Sequence, residues 1–129
     1  MKVEIAYDVK AKVRELVKLL ELDYVDVSRI VCVRSFGTKT NADARIWGLP
    51  KIWQRALGIK PHYVIEVIHE RFDRMSKEQQ IKTLIHELMH IPKRFTGGLR
   101  PHKYFGKRID KRSVERLYKV YLAKKYGDA

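Results

Sequence analysis

Apolar residues at Val9, Val13, Leu16, Val17 and Leu20 recur at helical spacing, with Lys10, Lys12, Arg14, Glu15 and Lys18 between them. This pattern predicts an amphipathic packing helix over Tyr7 to Leu22. From Val25 to Phe36 the chain turns β-branched, with Val27, Ile30, Val31 and Val33 running into Ser35-Phe36-Gly37, and predicts a strand. Tyr63 to Ile68 alternates two apolar sets and predicts another, in which Glu66 faces either solvent or a cleft. Ser76-Lys77-Glu78-Gln79 has the form of a capping box. Behind it, Ile81, Leu84, Ile85, Leu88 and Met89 form the apolar stripe of a helix that Pro92 ends. Val114, Leu117, Tyr118, Tyr121 and Leu122 share one face of a closing helix from Ser113 to Tyr126.

Thr38 to Gly58 has no clear period. Pro50 and Gly58 bracket a short helix over Lys51 to Leu57. Arg45, Lys51 and Arg55 interleave with Trp47 and Trp53, the composition of a base-stacking surface, but core or cleft lining is the preferred reading of both tryptophans. Only two strands are clear, so strand order is not predicted. The elements together predict an α+β fold. The N-terminal helix and the helix after Ser76 pack on a short twisted sheet, and the C-terminal helix closes the domain.

A length of 129 residues makes this one domain, 1–129, with a real core. Hydrophobic residues at 45% and charged residues at 33% exclude a disordered chain and give a heavily charged surface. No apolar run is long enough to span a membrane, and Met1-Lys2-Val3-Glu4 has mixed charge instead of a signal-peptide core, so a cytoplasmic protein without a membrane partner is expected. Cys32, the only cysteine, excludes an internal disulfide and a cysteine zinc cluster; within Ile30-Val31-Cys32-Val33 it reads as a buried strand residue. One Asn and three Gln against 28 Lys and Arg suggest a heat-adapted source.

The net charge is +13, and twelve of the basic residues lie between Lys93 and Lys125 with only Asp110 and Glu115 against them. Lys93, Arg94, Lys103, Lys107, Arg108, Lys111 and Arg112 are candidate contacts for DNA or RNA. A solvated basic helix face is the alternative.

The chemistry centres on His86-Glu87-Leu88-Met89-His90, an HExxH pattern. Residues four apart lie one turn apart on the same side of a helix, so both imidazoles can reach one metal ion with Glu87 beside it. The apolar stripe centres well over a quarter turn from both histidines, which leaves them free to face a cleft. A catalytic Zn²⁺ site uses three protein ligands and an open position. Phe95-Thr96-Gly97-Gly98-Leu99-Arg100-Pro101 is turn chemistry, with two glycines free to adopt positive φ, and it brings His102 back as the preferred third ligand. Glu115 on the last helix is the rival. His62 and His69 lack ligand spacing and are structural or exposed.

Four segments together resemble a family of metallopeptidases of archaea and phages: Ala44 to Trp53, Tyr63 to Ile68, Ile85 to Pro92, and Gly97 to His102. The likeness runs from about Val27 to Tyr121 and implies a small zincin-like domain with a metal, saying less about substrate. More distantly, His102-Lys103-Tyr104-Phe105 is similar to the third-ligand segment of SprT/Spartan-like zinc proteases. There the histidine is usually followed by Gly, where this chain has Lys103, and no zinc ribbon is present.

The expected activity is peptide hydrolysis on a protein or peptide substrate, with His86, His90 and His102 holding Zn²⁺ and Glu87 as general base. Tyr104, Arg100 and Arg45 are candidates for an oxyanion or substrate contact. A metal-dependent nuclease and a non-catalytic zinc-containing nucleic-acid-binding module are the alternatives.

Overall fold

The computed structural model describes residues 1–104 and 107–127, without the side chains of Lys103, Tyr104 and Lys107. Its elements in chain order are β1 (Lys2–Ile5), α1 (Tyr7–Leu19), a 3-10 turn (Val27–Arg29), β2 (Ile30–Phe36), β3 (Ala44–Trp47), α2 (Lys51–Leu57), β4 (Tyr63–Ile68), α3 (His69–Phe72), α4 (Lys77–Met89), β5 (Lys103–Tyr104), β6 (Lys107–Arg108) and α5 (Lys111–Tyr126). This is the expected α+β domain, with a four-stranded mixed sheet ordered β1-β2-β4-β3. The central pair β2 and β4 is parallel, and each edge strand pairs antiparallel with its neighbour.

Register decides which side chains share a face. Ile30 pairs with Tyr63, Cys32 with Ile65 and Ala44 with Val67, and these six are buried in the core. Above them pack Val9, Val13 and Leu16 of α1, Leu84, Ile85 and Leu88 of α4, and Val114, Tyr118 and Tyr121 of α5. The three long helices therefore cover one face of the sheet. The opposite face carries Val3, Ile5, Val31 and Trp47, all exposed. Cys32 is buried as expected, and burial raises its thiol pKa to about 11.

Several boundaries differ from the pattern-based expectation. The first helix stops at Leu19, not Leu22, because Glu21 takes a left-handed φ of 53°. The expected strand from Val25 begins only at Ile30, after a 3-10 turn that Asp26 caps through the Ser28 amide at 3.0 Å. Strands β1 and β3 and helix α3 were not predicted. β1 and β3 are four-residue edge strands and α3 is a single turn, and such short elements carry too few positions to show a period. The tryptophans correct the core reading: Trp47 is 52% and Trp53 56% exposed.

Glu66 explains why β3 is held where it is. It is buried on the helix-free face, opposite Arg45, and its carboxylate accepts two bonds from the Arg45 guanidinium at 2.9 and 3.0 Å. Trp47 Nε1 donates at 2.9 Å and Ser35 Oγ completes the shell. Burial alone would push the Glu66 carboxyl up, but the bonds from Arg45, Ser35 and Trp47 outweigh it and hold the pKa below its ordinary 4.5. Arg45→Ala is expected to lower stability at neutral pH by about 1–2 kcal/mol in urea unfolding, since the buried carboxylate loses its paired charge. A depressed carboxylate stabilises the fold above its unfolded pKa and loses that contribution as pH falls, so the gap between the two proteins should close in acid.

Candidate metal centre

Helix α4 is built to carry the site. Ser76 caps it by accepting a bond from the Gln79 amide at 3.2 Å, the first half of the capping box expected there. Leu84, Ile85 and Leu88 hold it on the core, while Ile81 and Met89 pack at the margin. His86 and His90 lie off that buried stripe and are half-buried. Glu87 is buried at 8% exposure, and desolvation raises its pKa from 4.5 to about 7.

The chain then reverses over residues 91–101. Ile91 and Phe95 are buried, and Phe95, with φ of 50°, sets its ring edge-on against Tyr63 at 5.0 Å between centroids. Of the two glycines, only Gly97 has positive φ, at 91°. Its amide donates to Tyr63 Oη at 2.9 Å, the Tyr63 hydroxyl donates to the Gly98 carbonyl at 2.7 Å, and the Leu49 amide donates to the Gly97 carbonyl at 2.9 Å. Gly48 is part of the same contact, because a Cβ there would lie 2.1 Å from the Gly97 carbonyl oxygen. The reversal closes when the Arg100 amide donates to the His90 carbonyl at 2.7 Å, and two residues later His102 reaches the helix.

The three imidazoles converge. One ring nitrogen from each of His86, His90 and His102 lies within 4.8 Å of the others, and His86 Nε2 is 3.2 Å from His102 Nε2. His90 Nδ1 lies 2.6 Å from the Arg100 carbonyl. A carbonyl only accepts, so Nδ1 carries the proton and Nε2 keeps its lone pair, the arrangement in which a backbone partner orients a metal-binding histidine. Desolvation, with the neighbouring histidines adding to it, lowers the His86 pKa to about 4. Burial also lowers that of His90, against the Arg100 bond. Both are therefore neutral at pH 7 and able to donate to a metal. Among the described residues these three form the group able to hold a metal ion.

Around them lies an open groove of about 260 Å³, lined by Ala44, Arg45 and Ile46 of β3, by Glu87 and by Leu99. A larger cleft of about 690 Å³ continues past His86 and Glu87 between α4, α5 and residues 41–44. Glu115 borders this cleft with its carboxylate 2.6 Å from Lys82 Nζ. Of the other candidates, Arg45 lines the groove with its guanidinium held by Glu66, whereas Arg100 bonds the Met89 carbonyl at 3.3 Å, at the end of α4. The Tyr104 side chain and Phe105 lie outside the described residues. Among the described candidates, Lys93 and Arg94 lie in the reversal, and Lys111 and Arg112 lie on α5 beside Arg116 and Lys119. Arg108 is exposed, and the side chains of Lys103 and Lys107 are outside the description. His62 and His69 stand apart from the site, His62 on the Lys60 carbonyl and His69 paired with Asp73. Sequence reasoning passed over Ser35 and left Glu66 undecided, since neither carries a pattern until β2, β3 and β4 are in register.

Fold and site define a small α+β domain that presents three clustered histidines, able to hold a metal ion, at the edge of its sheet. The model of the family described as "Putative phage metallopeptidase" matches residues 1–121, and the chain belongs to that family. No curated protein and no solved structure matches it. These comparisons do not show the more distant likeness to SprT-like proteases. Among the described residues no helix is long and apolar enough to cross a membrane.

Gly48→Ala should show that the reversal depends on close backbone approach. The added methyl must displace a carbonyl, and a loss of about 2 kcal/mol or more is expected in thermal or urea unfolding. Gly37→Ala, where the methyl meets nothing within 4 Å, isolates the cost of positive φ alone.

Proposed function

We propose that the protein is a zinc-dependent peptidase, with His86, His90 and His102 as the metal ligands and Glu87 as the general base. The convergence of three imidazoles within 4.8 Å, beside a buried carboxylate on the helix that carries two of them, supports this reading. An all-imidazole donor set suits Zn²⁺, and three ligands leave a position open. When bound there, the metal supplies Lewis acidity, making water acidic enough to lose a proton near neutral pH and polarising a carbonyl.

The chain's own residues supply the rest. The Glu87 carboxylate, raised to about 7, accepts a proton from the attacking water and returns it at the amine nitrogen that leaves. Burial keeps that carboxyl close to the working pH, where it serves as both base and acid. Arg100 holds the His90 tautomer through its carbonyl. The groove supports a peptide substrate because its lip is β3, an edge strand, and an extended chain pairs naturally with a sheet edge. The cationic group on α5, with Lys111, Arg112, Arg116 and Lys119, supports nucleic acid as a secondary partner, not as the substrate.

Protein purified without chelator should carry about one zinc per chain by elemental analysis. His102→Ala should reduce zinc affinity at least about 100-fold, and Glu115→Ala should leave it unchanged. Glu87→Gln should retain zinc while casein hydrolysis falls about 100-fold or more. Undiminished proteolysis in Glu87→Gln would reject the assignment of the base. Cleavage of labelled RNA or DNA with casein untouched would favour the nuclease, and retained function in Glu87→Gln with steeply salt-dependent DNA binding the non-catalytic module.

A further inference from the structure

Helix α2 is turned the wrong way round for a packing helix. At 100° per residue, Ile52, Trp53, Ala56 and Leu57 share an arc of about 140°, with Gln54 beyond its edge. Such an arc normally faces the core. Here the residue that faces the body is Gln54, whose side-chain amide donates to the carbonyls of Leu49 at 2.7 Å and Thr96 at 2.9 Å. Nine of the ten residues 51–60 are exposed, among them Ile52 at 74%, Trp53 at 56%, Leu57 at 58% and Ile59 at 42%. Trp47, just before the helix, is equally open. Single exposed apolar residues are ordinary, but an apolar helix face with no buried member, set outward by its one polar anchor, is not.

Charge narrows what covers it. From Ala44 to Ile65 the chain has Arg45, Lys51, Arg55 and Lys60 and no acid. Arg45 is paired with Glu66, but two copies meeting through this face would still bring together Lys51, Arg55 and Lys60 of each, six cations, so self-association is disfavoured. Trp47 and Trp53 can each stack a base, but Ile52, Leu57 and Ile59 make most of the exposed face aliphatic, which favours acyl chains over single-stranded nucleic acid. A projecting apolar helix flanked by Lys and Arg matches the boundary between anionic headgroups and acyl chains, where aliphatic and indole side chains insert and the cations stay at the headgroups. We propose that α2, with Trp47, is a peripheral docking element for an anionic phospholipid surface. The helix lies on that surface and does not cross it, so the lack of a spanning helix among the described residues does not bear on it. The Gln54 bond to Thr96 ties the inner side of α2 to the reversal that leads to His102.

Trp47 and Trp53 are the only tryptophans, so fluorescence reports on α2 and on the end of β3 just before it. The full chain is mixed with phosphatidylcholine vesicles, with and without phosphatidylglycerol, whose acyl chains carry bromine as a contact quencher. Vesicles containing phosphatidylglycerol should shift the emission to the blue and quench it. Ile52→Asp and Leu57→Asp should each weaken partitioning about tenfold, with circular dichroism unchanged because both side chains are already exposed. Lys51→Glu with Arg55→Glu should abolish it. Vesicle adsorption without quenching would overturn the proposal and assign binding to the cationic C-terminal third. Failure to bind any vesicle would overturn it, as would dimerisation lost in Leu57→Asp, or tryptophan quenching by single-stranded DNA in place of vesicles.

Discussion

Two hydrogen bonds between the same two residues hold the candidate site together. The Arg100 amide donates to the His90 carbonyl, and the His90 ring donates to the Arg100 carbonyl. The first satisfies a carbonyl at the helix end that would otherwise lack a partner, and so makes the reversal a continuation of the cap. The second sets the tautomer of a candidate ligand. Because one residue does both, the loop that delivers His102 and the electronic state of His90 are fixed by a single placement. The Tyr63 hydroxyl, the Leu49 amide and the Gln54 side chain then tie the far end of that loop to the sheet and to α2.

One-sided layering shapes everything else. Three helices on one face bury Cys32, Ile65 and Val67, and they leave the other face to Val3, Ile5 and Val31. Into that open face the protein sets a carboxylate, Glu66, and satisfies it with Arg45, Ser35 and Trp47. The ion pair fastens the short edge strand β3, which four residues of pairing would hold poorly by themselves, and β3 in turn forms the lip of the groove. Burial pushes both glutamates up, but with opposite outcomes: donors around Glu66 outweigh it and keep that carboxylate charged, whereas desolvation is the one cause acting on Glu87, which titrates near neutrality.

The sequence shows the elements whose pattern is long enough to repeat. Thirteen residues of α4 and sixteen of α5 carry their stripes openly, as does α1 up to Leu19. The candidate site was legible through the spacing of His86 and His90 and the glycine turn ahead of His102. Edge strands of four residues were not legible; α2 was marked by Pro50 and Gly58, but the outward turn of its apolar face was not legible, since nothing local separates a residue that will be buried from one that will not.

Local chemistry in the chain therefore determined the α+β class, the motif helix with its cap and stop, the reversal after it and the buried place of Cys32, because each depends on residues within a turn or two of one another. Tertiary structure alone decided the strand order, the partners of Glu66, the outward tryptophans and which glycine takes positive φ. It also decided the proton on His90 and the raised pKa of Glu87. Those depend on groups far apart in sequence, and their energies exist only once the sheet register and the layer of helices have brought them into contact.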